Sequence, residues 1–211
     1  MAKTAKKTRK VKIARKTAEV NIQGEFNIDG SGKTNVKTPF EPLNHLLTLF
    51  AFHGLFDLNL QAKGDLEHHI IEDIGIALGK AFKDALGDKA GINRSASFSM
   101  AMDRVVVEAN VDISGRPTLH QARGKGNPDF ADILERERFD NTNFSFNDAK
   151  EFLEAFVQHA GISLVYDIKS AEGDLHHLLE ALFKALGKAL DEATKIDPRR
   201  KGIPSTKGII D

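Results

Sequence analysis

The sequence predicts an α+β protein made of two similar halves, and three observations support this class. The short phrase His-His-x-x-Glu occurs at residues 68–72 and again at residues 176–180. The fifteen residues that begin at each phrase are identical at eight positions, and both stretches space their apolar residues as a helix does. Each phrase also follows a Gly-Asp-Leu triplet and an alternating, strand-like segment. A repeat of this length indicates one folding unit that was duplicated and fused.

The first half, residues 17–93, contains five segments with a regular hydrophobic period. They are, in order, a strand over residues 17–28, a returning strand over residues 34–38, a helix over residues 43–52, a strand over residues 56–62 and a helix from His68 to about Gly87. Asp29–Gly32 predicts a hairpin turn between the first two strands, and Gly54 predicts the end of the first helix. The predicted order is strand, strand, helix, strand, helix.

The second half, residues 94–197, repeats this order with one interruption. Its segments are a strand over residues 104–113, a helix over residues 147–159 capped by Asn147, a strand over residues 161–168 and a helix from His176 to about Ala193. About two dozen extra residues lie within residues 118–146, where Gly, Pro and charges predict a loop. Each half would have one sheet with a buried face, so the halves are expected to pack through their helices.

Composition excludes several classes of protein. The chain of 211 residues is 41% hydrophobic and 28% charged, as is typical of globular proteins. It has no apolar run of the length that a membrane span needs. The absence of cysteine excludes disulfides and thiolate metal sites. The N-terminus lacks the apolar core of a signal peptide, so we expect a cytoplasmic protein without a membrane partner.

The first 16 residues form a basic tail with eight Lys or Arg and no acidic residue. The rest of the chain carries 22 basic against 30 acidic residues. A short lysine-rich terminus is more often a solvated, disordered tail than a nucleic-acid contact. No interleaving of basic and aromatic residues accompanies it, since the chain has one Tyr and no Trp. We therefore expect a disordered tail and no nucleic-acid partner.

The spacing within His-His-x-x-Glu suits metal ions. On a helix, residues three and four apart share a face, so each glutamate can share an ion with either histidine of its phrase. Adjacent histidines point about 100° apart, so one ion is not expected to take both. Polar residues are also common at helix starts for capping reasons alone, but the repetition of the phrase favours metal ligands. The donors from the two phrases are His68, His69, Glu72, His176, His177 and Glu180. Four imidazoles and two carboxylates suit Mn, Fe, Co, Ni or Zn.

A second group of residues could bind a phosphate. Its members are basic or hydroxyl side chains near turns or on the second metal helix, and they are Arg94, Arg116, Lys184, Ser205 and Lys207. Arginine, lysine and hydroxyl donors are the groups that hold phosphates in proteins. Taken singly, each is more often a solvated surface residue, and the metal phrases are what make a shared pocket worth proposing.

Together these residues resemble one family, the imidazoleglycerol-phosphate dehydratases of histidine biosynthesis. The resemblance covers about residues 15–208. It is carried, in this order, by Arg15–Glu19, Asn44–Leu47, His53–Leu58, both phrases, Glu72–Ile76, Met102–Asp103, Asp112–Pro117, Phe183–Ala185 and the Pro-Ser-Thr-Lys-Gly motif at Pro204–Gly208 in the C-terminal segment 198–211. So many segments in one order make the resemblance highly specific.

The resemblance implies a fold, an activity and an assembly. The fold is an internal duplication with helices packed between two four-stranded sheets. The activity is that of a hydro-lyase, which removes water from D-erythro-imidazoleglycerol phosphate to give imidazole-acetol phosphate. The resemblance also implies two Mn²⁺ ions per site and a homo-oligomeric shell of 24 subunits with sites at subunit contacts.

The resemblance further implies roles for residues of this chain. The metal ligands would be His45, His68, His69, Glu72, His176, His177 and Glu180. Glu19 would move protons as a general acid or base, and Asp103 would support the reacting diol. The substrate phosphate would contact Arg94, Arg116, Lys184, Ser205, Lys207 and His53.

Three departures from the family pattern bear most directly on the site. Asn44 precedes His45 where the family usually has Asp, so an amide replaces a carboxylate that would orient the imidazole. Arg104 follows Asp103 where the family usually has Glu. Val165 stands where the family's Leu-His-Ile supplies an eighth metal ligand. Valine cannot bind a metal ion, so one ion is a ligand short unless another group replaces it.

These departures leave two functions open. The first is a working dehydratase with an altered metal shell. The second is a catalytically impaired relative with the same fold that acts as a binding or assembly component. A two-metal hydrolase is a third, weaker alternative. Metal content helps to separate the first two, because two ions per chain favour the enzyme.

Overall fold

The computed structural model of the protein describes residues 8–122, Leu134 and residues 138–210. Within these residues it gives the bounds of eight strands and four helices. They are, in order, β1 (Lys10–Lys16), β2 (Val20–Asn27), β3 (Thr34–Lys37), α1 (Glu41–His53), β4 (Asp57–Gly64), α2 (Glu67–Leu86), β5 (Ser95–Met102), β6 (Val105–Asp112), β7 (Thr118–Ala122), α3 (Phe146–Ala160), β8 (Ser163–Ala171) and α4 (Leu175–Thr194). The same order of elements occurs twice, which confirms the predicted α+β class and the duplication.

The strands form two four-stranded sheets with the same topology. Sheet 1 has the order β1-β2-β4-β3, and sheet 2 has the order β5-β6-β8-β7. In each sheet the first three strands pair antiparallel, and the last strand pairs in parallel with its neighbour. The two four-stranded sheets that the resemblance implies are confirmed, and they contain strands that the hydrophobic period alone did not reveal.

The predicted hairpin across Asp29–Gly32 is wrong. The strand after this turn, β3, does not pair with β2. It pairs in parallel with β4, and Thr34 lies opposite Leu58. Parallel neighbours need a crossover connection, and α1 supplies it because it lies between β3 and β4 in the chain. This crossover carries the start of α1, with His45, to the inner face of sheet 1.

Two segments predicted to be irregular contain strands. The predicted disorder of the basic tail is wrong for residues 10–16, because these residues form β1, which pairs with residues 21–27 of β2. Ile13 is the one fully buried side chain of β1, so the apolar signal is weak. Residues 1–7 lie outside the described residues. The predicted loop within residues 118–146 begins with strand β7, and most of its remainder also lies outside the described residues.

The helices form the inner layer between the two sheets, and they pack across the halves. α2 covers sheet 1 and packs against α3, whereas α4 covers sheet 2 and packs against α1. Glycines allow these close crossings. A Cβ on Gly79 would lie 2.6 Å from the carbonyl oxygen of Phe156, and one on Gly187 would collide with the carbonyl oxygen of Phe50. None of the described helices is long and apolar enough to cross a membrane.

A cluster of phenylalanines joins the two halves into one core. Phe26 and Phe50 each lie 5.4 Å from Phe56 between ring centroids, and Phe156 of α3 lies 5.9 Å from both Phe50 and Phe82. All five rings are at most 2% exposed. Burial of each such side chain stabilises a fold by about 1.5–3 kcal/mol. This shared core fixes α1 and α2 of the first half against α3 of the second half.

The C-terminal segment folds back onto the connection between the halves. The backbone N–H of Gly91 donates to the carbonyl oxygen of Gly202 at 2.8 Å, and Ile92 pairs with Ile196. The predicted division between residues 93 and 94 lies in this connection, between α2 and β5. The segment thereby brings Pro204 and its motif next to the start of sheet 2.

Candidate metal centre

The second phrase opens α4 because Asp174 caps the helix. The Asp174 carboxylate accepts a hydrogen bond from the backbone N–H of His177 at 2.9 Å, which satisfies a donor that a helix start leaves free. The helix then places Glu180 one turn after His176. Nε2 of His176 lies 3.0 Å from Oε1 of Glu180, so the spacing of four residues brings the two donors together.

A second imidazole reaches the same carboxylate from α1. His45 lies in the first turns of α1, and its Nε2 is 2.6 Å from Oε1 of Glu180. One ligand atom each from His45, His176 and Glu180 lies within 4.8 Å of the others. Two imidazoles and a carboxylate are donors that Mn, Fe, Co, Ni and Zn accept, so the set fits a metal ion. Among the residues that the structure describes, three such donors gather in this one place.

Glu180 is the charge around which this cluster is arranged. Its side chain is 8% exposed, and Nζ of Lys184 donates to its Oε2 at 2.6 Å. Burial raises the pKa of Glu180, but hydrogen bonds from Lys184, His45 and His176 outweigh burial and lower the pKa to about 2. The carboxylate is therefore ionised at neutral pH, with Oε1 facing the imidazoles and Oε2 facing the ammonium.

Asp140 and Phe139 orient His176, and both lie in the insertion that the sequence predicts only as a loop. Oδ1 of Asp140 is 2.9 Å from Nδ1 of His176, and the Phe139 ring stacks on the imidazole at 4.3 Å. Burial lowers the pKa of His176, but hydrogen bonds to Asp140 and Glu180 raise it more. A carboxylate on the second ring nitrogen is usual for metal-binding histidines. No motif marks Asp140; its one signal is its place in a segment found in the second half alone.

His177 points away from this cluster, as adjacent helical histidines must. Its Nδ1 lies 2.6 Å from Asp174, and its Nε2 lies 3.2 Å from Oδ2 of Asp103. Asp103 occupies the turn between β5 and β6 with a positive φ of 50°, a conformation that Asp tolerates better than most residues. The structure therefore places the predicted residue Asp103 beside the second phrase.

The first phrase has a similar framework at the start of α2. Nδ1 of His69 lies 2.9 Å from Asp65 and 3.8 Å from Oε2 of Glu19. The hydrogen bond to Asp65 raises the pKa of His69. Glu19 lies between β1 and β2, just as Asp103 lies between β5 and β6. Both predicted proton-transfer and diol residues thus sit in equivalent turns, each beside the second histidine of one phrase.

Among the described residues, the first phrase has no further imidazole at its glutamate, unlike the second phrase. His68 and Glu72 are exposed, and α3 presents Glu151 where the aligned position of α1 presents His45. Glu151 lies close enough to both His68 and Glu72 to interact with their charges, and burial raises its pKa. His68 and Glu72 are therefore open to solvent, beside an acid where the other half has an imidazole.

Asn44 positions His45 through the backbone. The Asn44 amide oxygen accepts a hydrogen bond from the Thr38 N–H at 2.8 Å, and its amide nitrogen donates to the Thr38 carbonyl oxygen at 3.2 Å. The side chain is 9% exposed. The amide therefore closes the loop that leads into α1. This is a different role from the direct contact with the imidazole that the family pattern implies for an acid at this position.

The predicted phosphate residues fall into two groups. Arg94 binds the Asp112 carboxylate with two hydrogen bonds of 2.7 and 3.1 Å, and it donates to the Pro204 carbonyl oxygen at 3.0 Å. This contact brings the Pro-Ser-Thr-Lys-Gly turn to Arg94, and in that turn the Lys207 N–H donates to the Ser205 hydroxyl at 3.2 Å. Arg116 lies near this group. Its carbonyl oxygen accepts a hydrogen bond at 2.9 Å from the Ser163 hydroxyl, and Ser163 pairs with Asp112 in the sheet.

Lys184 and His53 form the other group, next to the metal cluster. Burial and the charges of Lys184 and Lys188 lower the pKa of His53. The Arg94 N–H binds the carbonyl oxygen of Ala193, which lies nine residues after Lys184 on α4. At a rise of 1.5 Å per residue, Lys184 and Ala193 are about 14 Å apart along the helix, so the two groups are attached at well-separated points. Within one chain, the predicted phosphate residues therefore do not converge.

Comparison with known proteins agrees with this architecture. A model of the imidazoleglycerol-phosphate dehydratase family matches residues 38–190. The imidazoleglycerol-phosphate dehydratase of Thermoanaerobacter pseudethanolicus is 48% identical over 206 residues, which are 96% of this chain and 100% of that protein.

Solved structures of the same family share the fold. The Pyrococcus furiosus structure aligns with a TM-score of 0.75 at 33% identity, over 93% of this chain and 99% of that one. The Staphylococcus aureus structure aligns with a TM-score of 0.73 at 29% identity, over 89% of this chain and 99% of that one. The relatives are hydro-lyases of histidine biosynthesis. This chain therefore belongs to the imidazoleglycerol-phosphate dehydratase family.

Proposed function

We propose that this chain dehydrates imidazoleglycerol phosphate at a two-ion Mn²⁺ centre that is completed between copies of the chain. The observation that supports this most strongly is the convergence of His45, His176 and Glu180 within 4.8 Å. Nitrogen and carboxylate donors without thiolates suit Mn²⁺. The remaining ligands would be His177 and, from the first phrase, His68, His69 and Glu72.

The direction of these remaining donors supports a site between subunits. His177 faces Asp103 and not Glu180, so it cannot serve the ion held by His45 and His176. The first phrase exposes His68 and Glu72 to solvent at the start of α2. Donors that point outwards from two helix starts can be satisfied by a second copy of the chain. A homo-oligomer, with the 24-subunit shell of the family resemblance, would bring them together.

The reaction removes a hydroxyl from the carbon next to the imidazole ring and a proton from the neighbouring carbon. The resulting enol becomes the ketone of imidazole-acetol phosphate, and water leaves. Held by these ligands, the ions would supply Lewis acidity that stabilises charge on the imidazole ring of the substrate. Glu19 would transfer the proton as general base and acid, since it lies in an exposed turn beside His69. Asp103 would hold the diol from the equivalent turn beside His177.

The phosphate end of the substrate needs cationic and hydroxyl donors. Arg94, Arg116, Ser205 and Lys207 would supply them near sheet 2, and Lys184 and His53 near the metal cluster. Because the two groups are attached about 14 Å apart along α4, we infer that they serve different sites or meet across a subunit contact. A cytoplasmic location remains a prediction of the sequence.

The direct test is turnover by metal-reconstituted protein. Chelator-stripped protein would be reloaded with Mn²⁺ and mixed with imidazoleglycerol phosphate, and imidazole-acetol phosphate would be followed by NMR. We expect turnover that His176→Ala abolishes and that His159→Ala preserves. His159 is a suitable control because its Nδ1 pairs with the Ala155 carbonyl oxygen on α3, away from the predicted ligands. Folded, metal-bound protein without turnover would contradict the proposal and favour the catalytically impaired relative.

A further inference from the structure

A histidine stands beside the one ligand position that the family resemblance leaves unfilled. Val165 on β8 occupies that position. In sheet 2, β7 runs parallel to β8 and pairs His120 directly with Val165. Neighbouring strands are about 4.8 Å apart, so His120 is displaced from the unfilled position by a single strand.

His120 and Val165 project from the same face of sheet 2. Side chains alternate along a strand, and on β8 the buried Leu164 and Tyr166 face the helices. Val165 therefore faces outwards, and so does its paired residue His120. The His120 side chain is exposed, and no group among the described residues forms a hydrogen bond with it. Within the described part of the chain, both of its ring nitrogens are thus available to a ligand.

The Arg94–Asp112 pair and the backbone of Arg116 lie beside the same outer face, and both arginines are predicted to bind phosphate. Asp112, which accepts hydrogen bonds from Arg94, pairs with Ser163 in the sheet. The Ser163 hydroxyl in turn donates to the Arg116 carbonyl oxygen. Ser163 is two residues before Val165, a distance of about 7 Å along a strand. A phosphate held by these arginines would leave the rest of a small substrate close to His120. The substrate of this family has a phosphate at one end and a metal-binding imidazole at the other.

We propose that His120 is a metal ligand that replaces the histidine missing at Val165. The α4 helix covers the inner face of sheet 2, whereas His120 lies on the outer face. The proposal therefore rests on the proposed function, which places the metal centre between copies of the chain. His120 therefore serves the metal centre of a neighbouring copy, whose helix starts provide the other donors. The neutral imidazole binds through one ring nitrogen, and no covalent step is involved.

The test is an exchange of the two side chains, with Mn²⁺ alone as the probe. Stripped protein is titrated with Mn²⁺, bound metal is counted per chain by plasma mass spectrometry, and affinity is read from the EPR signal of free Mn²⁺. We expect His120→Ala to lose one of two ions per chain, or to bind that ion at least about 10-fold more weakly. Val165→Ala is the matched control and should bind as the unaltered chain does. Val165→His combined with His120→Val should restore the lost ion.

The outcomes separate this inference from the proposed function. Unaltered Mn²⁺ content and affinity in His120→Ala, with turnover intact, would overturn the role of His120 and leave the proposed function standing. Loss of one ion from His120→Ala, in a chain that binds Mn²⁺ without turnover, would support the role of His120 and contradict the proposed function. A parent chain that binds no Mn²⁺ would overturn both.

Discussion

The two His-His-x-x-Glu phrases are alike in sequence and different in surroundings. The second phrase is closed, because His45, Asp140 and Lys184 surround Glu180 and its neighbour His176. The first phrase is open, because its glutamate is exposed and α3 offers an acid where α1 offers a histidine. The same ligand spacing therefore produces an assembled cluster in one half and an incomplete one in the other. Residues outside the phrase therefore determine whether the cluster is assembled or incomplete.

The largest effect is expected from removing the first histidine of each phrase. His176→Ala and His68→Ala should each cost one Mn²⁺ ion and lower activity by more than about 100-fold, because loss of a ligand exceeds the 10–100-fold cost of losing a ligand's supporting partner. Metal counting and turnover measure both effects. Equal metal content in His68→Ala and the parent chain would show that the open phrase is not a metal site.

The next effect concerns the carboxylates that hold the imidazoles. Asp140→Asn and Asp65→Asn should each lower Mn²⁺ affinity by about 10–100-fold, because an amide orients a ligand histidine less firmly. Asn tolerates the positive φ of 51° at residue 140, so the backbone should persist. EPR titration provides the measurement. An effect at Asp140 without one at Asp65 would mean that only the closed phrase depends on such support.

Glu180 should make the metal-free fold sensitive to acid. Its pKa is about 2 in the folded chain against an ordinary value of 4.5. A lowered pKa means that the carboxylate stabilises the fold above about pH 4.5 and that this stabilisation is lost as the pH falls towards 2. The full shift corresponds to about 3 kcal/mol. The neighbouring His45 side chain is exposed to water, and water screens its interaction with Glu180. The expected contribution of Glu180 is therefore about 1–2 kcal/mol.

Urea unfolding with chelator present measures this contribution. The difference in unfolding free energy between the parent chain and Glu180→Gln should shrink as the pH falls from about 4.5 to about 2. Glu72→Gln in the open phrase is the control, and an exposed substitution of this kind changes stability by less than about 0.5 kcal/mol. A Glu180→Gln difference that stays constant over this range would contradict the burial and pairing described for Glu180.

The smallest effect compares the starts of α3 and α1. Ser145 and Asp148 form a reciprocal capping box on α3, whereas Phe40 provides no side-chain cap for α1. Ser145→Ala should cost about 1 kcal/mol of stability, measured by urea unfolding. Ser99→Ala, on the exposed side of β5, should change stability by less than about 0.5 kcal/mol. A loss as small as that of Ser99→Ala would mean that packing alone holds the start of α3.

The sequence was sufficient to predict the elements in which apolar and polar residues follow a clear period. The two phrase helices and strands β4, β6 and β8 alternate or repeat clearly, so their positions were predictable. β5 was missed because its Ser, Ala and Met residues show little contrast, and β1 because basic residues flank its single buried side chain. The parallel pairing of β3 depends on a crossover, which no local pattern reports.

Part of the candidate site was also predictable from the sequence. The His45, His176 and Glu180 cluster follows from the spacing of the phrase and from the family resemblance. Asp140 could not be predicted, because its role comes from a contact between an insertion and a helix 36 residues later. The wide separation of Arg94 from Lys184 was also hidden, since a motif reports residue types and not the distance between them.

The packing of the helices across the two halves bears on how such a chain could arise. α2 finds its helix partner in α3, and α4 finds its partner in α1. A half-length ancestor would have no such partner inside its own chain, so it could bury these helix faces only by pairing with a second copy of itself. Fusion would turn that contact between molecules into a contact within one molecule. After such a fusion, one half could diverge while the other kept its original role.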